Sequence, residues 1–269
     1  MTPTAVITGA SAGIGQATAI LLAEKGYNLV LAARTNDRLE AVAQQIRELG
    51  GQVLAVPTDV TDVKQVNNLV EKALDTYYQV DILINNAGIC MTAPMTQTSL
   101  EDWHKILNVN LWGYIYPIHA LLPHFLSRHC GTIVNVGSFG GKMPLPNMTA
   151  YCTSKYAVTG LTETLRLELE PKGIHVCGVH PSVTNSDFLE RAVFRGQQEK
   201  SSEQMRSSIE EMLKSPLASQ PEDVAKAIFH VIDHPQAEVV VGTGAITTNF
   251  YRFIPGLSQW LLQRSIAKS

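Results

Sequence analysis

Seven short runs rich in Val, Ile and Leu recur along the chain, at Ala5–Thr8, Asn28–Ala32, Gln52–Pro57, Ile82–Asn85, Thr132–Val136, His175–Val179 and Glu238–Val241, with helical patterns between them. That alternation marks successive strand–helix–strand units built on a parallel sheet. Several runs are almost continuously apolar, as strands covered on both faces are. The helical stretches carry their own punctuation. Asn36 or Asp37 opens one that ends at Gly50, and Gly26 follows the one that begins near Gly13. Ser99 with Asp102, and Ser219 with Glu222, have the offset of capping boxes. The pattern specifies an α/β protein with a doubly wound parallel sheet between two helical layers. No linker, repeat or low-complexity stretch interrupts it, so residues 1–269 read as a single domain. The polar, helix-prone segment 185–215 follows a strand's C-terminal end and reads as a substrate lid over the cleft where open α/β sheets bind ligands.

Composition supports an ordinary globular protein and removes other classes. With 45% hydrophobic and 17% charged residues the chain has ample core-forming material. A formal net charge of -3 and the lack of any Lys/Arg run give no field for nucleic acid. Cys90, Cys130, Cys152 and Cys177 lack the paired spacing of a zinc site or a disulfide framework, which fits free thiols in a reducing compartment. The first residues show no basic stretch leading into an apolar run, so no secretory leader is expected and the cytoplasm is the expected location. Leu111–Leu126 is apolar but contains Pro117, His119, Pro123 and His124, and is short for a membrane span; it reads as a buried helix. His119, His124 and His129 are five residues apart, a step of about 140° on a helix, so they share no face and no metal site is assigned.

The first strand runs directly into Gly9-Ala10-Ser11-Ala12-Gly13-Ile14-Gly15 and then into an apolar helix. A strand, a tight glycine turn and a helix N-terminus together present backbone N–H groups and a positive helix end to a pyrophosphate. Gly9 permits the turn, Gly13 a close approach of backbone, and Gly15 close packing of helix on strand. The spacing G-x3-G-x-G differs from G-x-G-x-x-G, and the position after the first strand is what gives it meaning. At the end of the second run, where a carboxylate would hold the ribose 2′-hydroxyl of NAD, stand Ala33 and Arg34. Arg34 suits a charge-assisted fork with the 2′-phosphate of NADP(H), with Thr35 and Asn36 as further donors.

Tyr151 and Lys155 lie at i and i+4 on one helical face, and Ser138 ends the preceding strand. A phenol titrates near 10, and a neighbouring ammonium is one means of bringing it into acid–base range. Taken in order, Thr8-Gly9-x3-Gly13-x-Gly15, Asn85-Asn86-Ala87-Gly88, Asn108-Val109-Asn110, Gly137-Ser138, Tyr151-x3-Lys155 and Pro181 resemble the short-chain dehydrogenase/reductase family, over residues 4 to about 245. The resemblance implies a three-layer αβα Rossmann fold with a seven-stranded sheet of order 3-2-1-4-5-6-7. It implies that Tyr151 is the general acid or base, that Lys155 binds the nicotinamide ribose and lowers the Tyr151 pKa, that Ser138 bonds the substrate oxygen, and that Asn110 holds a relay water. The cofactor contacts it implies are Gly9, Ser11, Gly13, Ile14, Gly15, Arg34, Asp59, Val60, Asn86, Ala87, Gly88, Tyr151, Lys155, Pro181 and Thr184. Ser182 stands where the family usually has glycine after that proline.

The expected activity is hydride transfer between NADPH and a carbonyl or alcohol. Phe139, Met143, Leu145, Met148, Val183 and Phe188 would line an apolar pocket suited to a hydrophobic ketone, aldehyde or 3-oxoacyl compound. A non-catalytic NADPH-binding sensor or scaffold is the competing class; retention of Asn110, Ser138, Tyr151 and Lys155 argues against it. A homodimer or homotetramer is expected from the resemblance, and Pro117 would kink the helix that often builds the dimer interface. The aromatic extension 245–269 suits packing on this domain or a partner subunit, with a substrate-site cover or peripheral membrane contact as alternatives.

Overall fold

The computed structural model describes residues 2–184, 193–195, 207 and 218–266. Most of the segment read as a lid therefore lies outside the described residues, as does Phe188. Strands β1 (Thr4–Thr8), β2 (Asn28–Ala33), β3 (Val53–Pro57) and β4 (Ile82–Asn85) alternate with α1 (Gly13–Glu24), α2 (Asn36–Glu48) and α3 (Val63–Tyr77). After the two-residue strand β5 (Met91–Thr92) come α4 (Leu100–Leu107), a π turn (Asn108–Trp112) and α5 (Gly113–Arg128). Then follow β6 (Gly131–Val136), α6 (Thr149–Leu169), β7 (Ile174–Pro181), β8 (Val193–Phe194), α7 (Pro221–Asp233), β9 (Glu238–Val241), α8 (Gly244–Phe253) and α9 (Pro255–Ile266).

The main sheet is wholly parallel in the order β3-β2-β1-β4-β6-β7-β9, the expected Rossmann sheet once β5 and β8, which pair only with each other, are set aside. Adjacent residues of a strand point to opposite faces, so Val6 and Ile7, both wholly buried, enter different cores. Ile7, Leu29, Leu31 and Ile84 pack with Leu22, Leu39, Ile46 and Ile228 of α1, α2 and α7. Val6, Leu83 and Ile133 pack with Leu69, Leu121, Phe125 and Leu169 of α3, α5 and α6. Each such side chain contributes about 1.5–3 kcal/mol, which is why strands without alternating polarity are required here. The chain reverses direction across the sheet between β1 and β4, and the strand C-terminal ends there form the cleft.

Local expectations are refined. The box at Ser99 and Asp102 forms, but α7 is capped by Gln220 with Asp223, not by Ser219 with Glu222. Pro221 takes the first helical position, which makes the preceding residue the cap, and Ser219 instead donates its N–H to Val183 O. The buried helix forms as α5 with Pro117 and Pro123 inside it, and the departure from α geometry lies just ahead, in the π turn. His124 accepts from Val80 N at 3.2 Å, and among the described residues no three metal-capable side chains cluster. The C-terminal extension forms α8 and α9; Thr248 and Ser258 are buried, whereas Phe253, Ile254, Leu257 and Trp260 remain exposed. Among the described residues no helix is long and apolar enough to cross a membrane.

Candidate active site

The glycine turn is fixed from behind by β4. Thr8 Oγ1 accepts from Asn86 N at 3.0 Å and from Ala87 N at 3.1 Å, while Asn86 Nδ2 donates to Thr8 O and Gly9 O. Gly9 has φ +67°, and a Cβ there would lie 2.8 Å from Ala87 Cα. Gly13 opens α1, whose N-cap, Ala12, supplies no side-chain acceptor, so the first-turn N–H groups remain available to an anion. Ser11 and Ile14 are half-buried on the same turn, Ile14 against the core. Thr8 was legible only as part of the motif; its hydroxyl is what joins the turn to Asn86 and Ala87.

Beside the turn, Arg34, Asp59, Thr61, Ile89, Lys105, Asn108 and Val109 line a cavity of about 370 Å³. Arg34 is exposed and forms no ion pair among the described residues, and Thr35 caps α2 without a side-chain bond. Asp59 is held by the N–H and hydroxyl of Thr61, at 2.9 and 2.8 Å. Val60 is buried against Gly113, where a Cβ would meet its Cγ2 at 2.7 Å. Lys105, which no motif singled out, brings a second cation to this cavity. These features fit a dinucleotide's adenosine half: a carboxylate, an apolar wall and two cations that form no ion pair among the described residues.

At the C-terminal end of β6 the structure gathers Ser138, Tyr151 and Lys155, all buried. A ladder of buried polar groups holds α6 on the sheet: Asn85 Nδ2 donates to Asn135 Oδ1 at 2.9 Å, and Asn135 Nδ2 to Thr162 Oγ1 at 3.0 Å. Ser138 Oγ accepts from Gly140 N at 3.1 Å. Burial pushes the Tyr151 hydroxyl well above the usual phenol range; the Cys90 thiol adds to this, and a hydrogen bond with Ser138 opposes it. Lys155 Nζ donates to Val136 O at 3.0 Å and Tyr114 Oη at 3.4 Å, and burial brings its own pKa down to about 8.

Asn110, wholly buried in the π turn, accepts from Ile89 N at 2.9 Å and donates to Ile89 O at 2.9 Å and Ser154 Oγ at 3.0 Å. Ser154 in turn donates to Tyr151 O at 2.6 Å. The amide thus ties the loop after β4 to α6, and its side-chain bonds go to protein. Gly88 stands beside it: a Cβ there would lie 3.5 Å from Asn110 Oδ1 and 3.8 Å from Lys155 Nζ.

Leu145 and Met148 pack on a cluster of Cys90, Tyr151 and Cys152. Burial raises the Cys90 thiol to about 12, making it an apolar wall of the cleft, not a nucleophile. Pro181 ends β7, and Ser182 donates its N–H to Val241 O at 3.0 Å while its buried hydroxyl has no partner among the described residues. Thr184 Oγ1 donates to Ser182 O at 3.2 Å. Phe139 lies on the other side, towards Gly244. Of the segment read as a lid, residues 193–195 are described alongside β5, with Arg195 Nη2 3.4 Å from Asp102 Oδ1.

This arrangement has clear relatives. The family model for short chain dehydrogenases matches residues 3–195, and the chain belongs to that family. It is therefore an oxidoreductase acting between CH–OH and C=O, of the kind that uses a nicotinamide cofactor. An uncharacterised oxidoreductase of Listeria innocua is 35% identical over 233 residues, 86% of this chain and 90% of its own. A short-chain dehydrogenase/reductase of Burkholderia phymatum, solved with NAD, superposes with TM-score 0.87 at 28% identity, covering 95% of each chain. An alcohol dehydrogenase of the archaeon Thermococcus sibiricus, complexed with 5-hydroxy-NADP, gives TM-score 0.77 at 26% identity over 90% of this chain and 97% of that one.

Proposed function

We propose that the chain is an NADPH-dependent reductase of hydrophobic carbonyl compounds, with Tyr151 the proton donor. The observation that carries this reading is the bonded pair Ser138 and Tyr151, buried with Lys155 at the C-terminal end of β6. The paired hydroxyls suit reduction: Tyr151 gives its proton to the carbonyl oxygen, and Ser138 steadies that oxygen. The nicotinamide supplies the hydride when bound. Lys155, charged below about pH 8, offers N–H to the ribose and compensates the negative charge left on Tyr151. Asn110, its amide engaged, would hold a relay water only through its main-chain carbonyl.

Arg34 and Lys105 line one cavity and form no ion pair among the described residues, which favours the 2′-phosphate of NADP(H) over the bare hydroxyl of NAD(H), since two cations gain most from a dianion. Leu145, Met148 and Cys90 make the wall beside Tyr151 apolar, in keeping with a hydrophobic ketone, aldehyde or 3-oxoacyl-type substrate.

The test is NADPH oxidation across ketones, aldehydes, quinones and acyl thioesters. Some carbonyl class should be turned over by the native chain, and Tyr151→Phe should lose about 10²–10⁴-fold in kcat while binding NADPH unchanged. Turnover that survives Tyr151→Phe, or a native chain with no affinity for either dinucleotide, overturns the reading.

A further inference from the structure

Tyr114, in the first turn of α5, is wholly buried and has no place in the family's motif. Its Oη donates to Val136 O at 2.8 Å and accepts from Lys155 Nζ at 3.4 Å. Lys155 Nζ lies 3.0 Å from that same carbonyl and 5.3 Å from the centroid of the Tyr114 ring. Ammonium, phenol and carbonyl therefore form a closed triangle two residues before Ser138.

An ammonium has three N–H groups and no acceptor. Two are bonded within the triangle. The third has no partner among the described residues, and Gly88, in the loop after β4, lies next to it: a Cβ there would stand 3.8 Å from Nζ. Without the phenol the ammonium would have a single protein acceptor at the end of a four-carbon stem that rotates readily, and an ammonium removed from water with its donors unmatched is strongly disfavoured.

We propose that Tyr114 is a positioning residue: its hydroxyl holds Lys155 Nζ against Val136 O and directs the remaining N–H into the cleft. The proposal rests on the reading of Lys155 as the ammonium that serves cofactor and Tyr151. Burial pushes the Tyr114 hydroxyl far up, so the phenol keeps its proton and both of its bonds throughout the working pH range. Because the bond favours charged lysine, its loss should let Lys155 release its proton earlier.

Tyr114→Phe keeps the ring and removes the oxygen; Tyr114→Met, which also lacks the hydroxyl, is the second variant should the first fold poorly. In the full-length chain labelled with ¹⁵N at lysine Nζ, the Lys155 signal, assigned by its loss in Lys155→Ala, should titrate about one pH unit lower in either variant. This measurement needs no cofactor. With NADPH, Tyr114→Phe should weaken binding about tenfold in the native background and leave binding unchanged in Lys155→Ala, since the hydroxyl acts only through that amine. A merely structural role would weaken both equally. An unmoved lysine titration, or equal losses in the two backgrounds, overturns the proposal. A shifted titration in a chain that binds no dinucleotide leaves the triangle standing and overturns the functional reading instead.

Discussion

Gly15 and Gly9 meet through backbone alone: a Cβ on Gly15 would lie 2.3 Å from the Gly9 carbonyl oxygen and 2.6 Å from Asn86 Nδ2. Neither neighbour can withdraw, because one is main chain and the other bonds Thr8 O and Gly9 O. Gly15→Ala should therefore push α1 off the turn, at a cost of about 1–3 kcal/mol in stability. It should also abolish dinucleotide binding, which depends on the position of the first helical turn. Urea unfolding and NADPH fluorescence titration measure the two effects. An alanine variant that binds NADPH normally would show that the turn is not the pyrophosphate cradle.

Arg34 makes a separate prediction about cofactor choice. Ala33→Asp combined with Arg34→Leu removes the forked donor and places a carboxylate where the NAD ribose hydroxyl would be bonded. Loss of a charge-assisted pair worth about 1.5–3 kcal/mol corresponds to about 10- to 100-fold in NADPH affinity. NADH binding should improve at the same time. Lys105 remains in the cavity, so weak NADPH binding should persist, and adding Lys105→Ala should remove it. An unchanged ratio of the two affinities in the double variant would mean that Arg34 is only a solvated surface charge.

What could be read in the residues follows the range of the interactions concerned. The sheet strands at Ile82–Asn85 and Glu238–Val241 appear with the expected limits, because continuous apolar runs between turn residues are a local signal. β5 and β8 give no such signal: each is two residues long and exists only through pairing over a separation no window spans. In the site, Ser138, Tyr151 and Lys155 were legible by spacing, yet the groups that hold them were not. Tyr114 sits in an apolar stretch and reads as core; only the fold shows its hydroxyl at Val136 O. Asn110 was legible as a motif residue, but its bonds to Ile89 and Ser154 join elements 21 and 44 residues away. The cap of α7 moved by one residue because Pro221 outweighs the spacing of Ser219 and Glu222.

The amide of Asn110 supports a prediction that separates architecture from chemistry. Asn110→Leu leaves the N–H and the carbonyl of Ile89 without their side-chain partner, at about 1–3 kcal/mol for each group. Ser154→Ala removes one bond to Asn110 and one to Tyr151 O, at about 1 kcal/mol each. The leucine variant should lower the thermal midpoint more than the alanine variant, and the double variant less than their sum, since the Asn110–Ser154 bond is lost in both. Additive losses in calorimetry would mean that the two residues act independently.

Lys155 sets the expected pH dependence. Its folded-state pKa lies near 8, below the ordinary 10.5, because burial disfavours the ammonium. The sign follows directly: charge is complete below that value and is lost as pH rises through it, where an exposed lysine would still be charged. The 2′-phosphate, with a second pKa of about 6, is already a dianion there. A fall in NADPH affinity as pH rises through about 8 is therefore the signature expected of Lys155. Affinity should decline above pH 8 by no more than tenfold per unit. Lys155→Met should bind weakly at every pH in that range, with no limb. A native profile flat to pH 10 would place the lysine outside the cofactor site, and a limb that persists in Lys155→Met would assign the titration to another group.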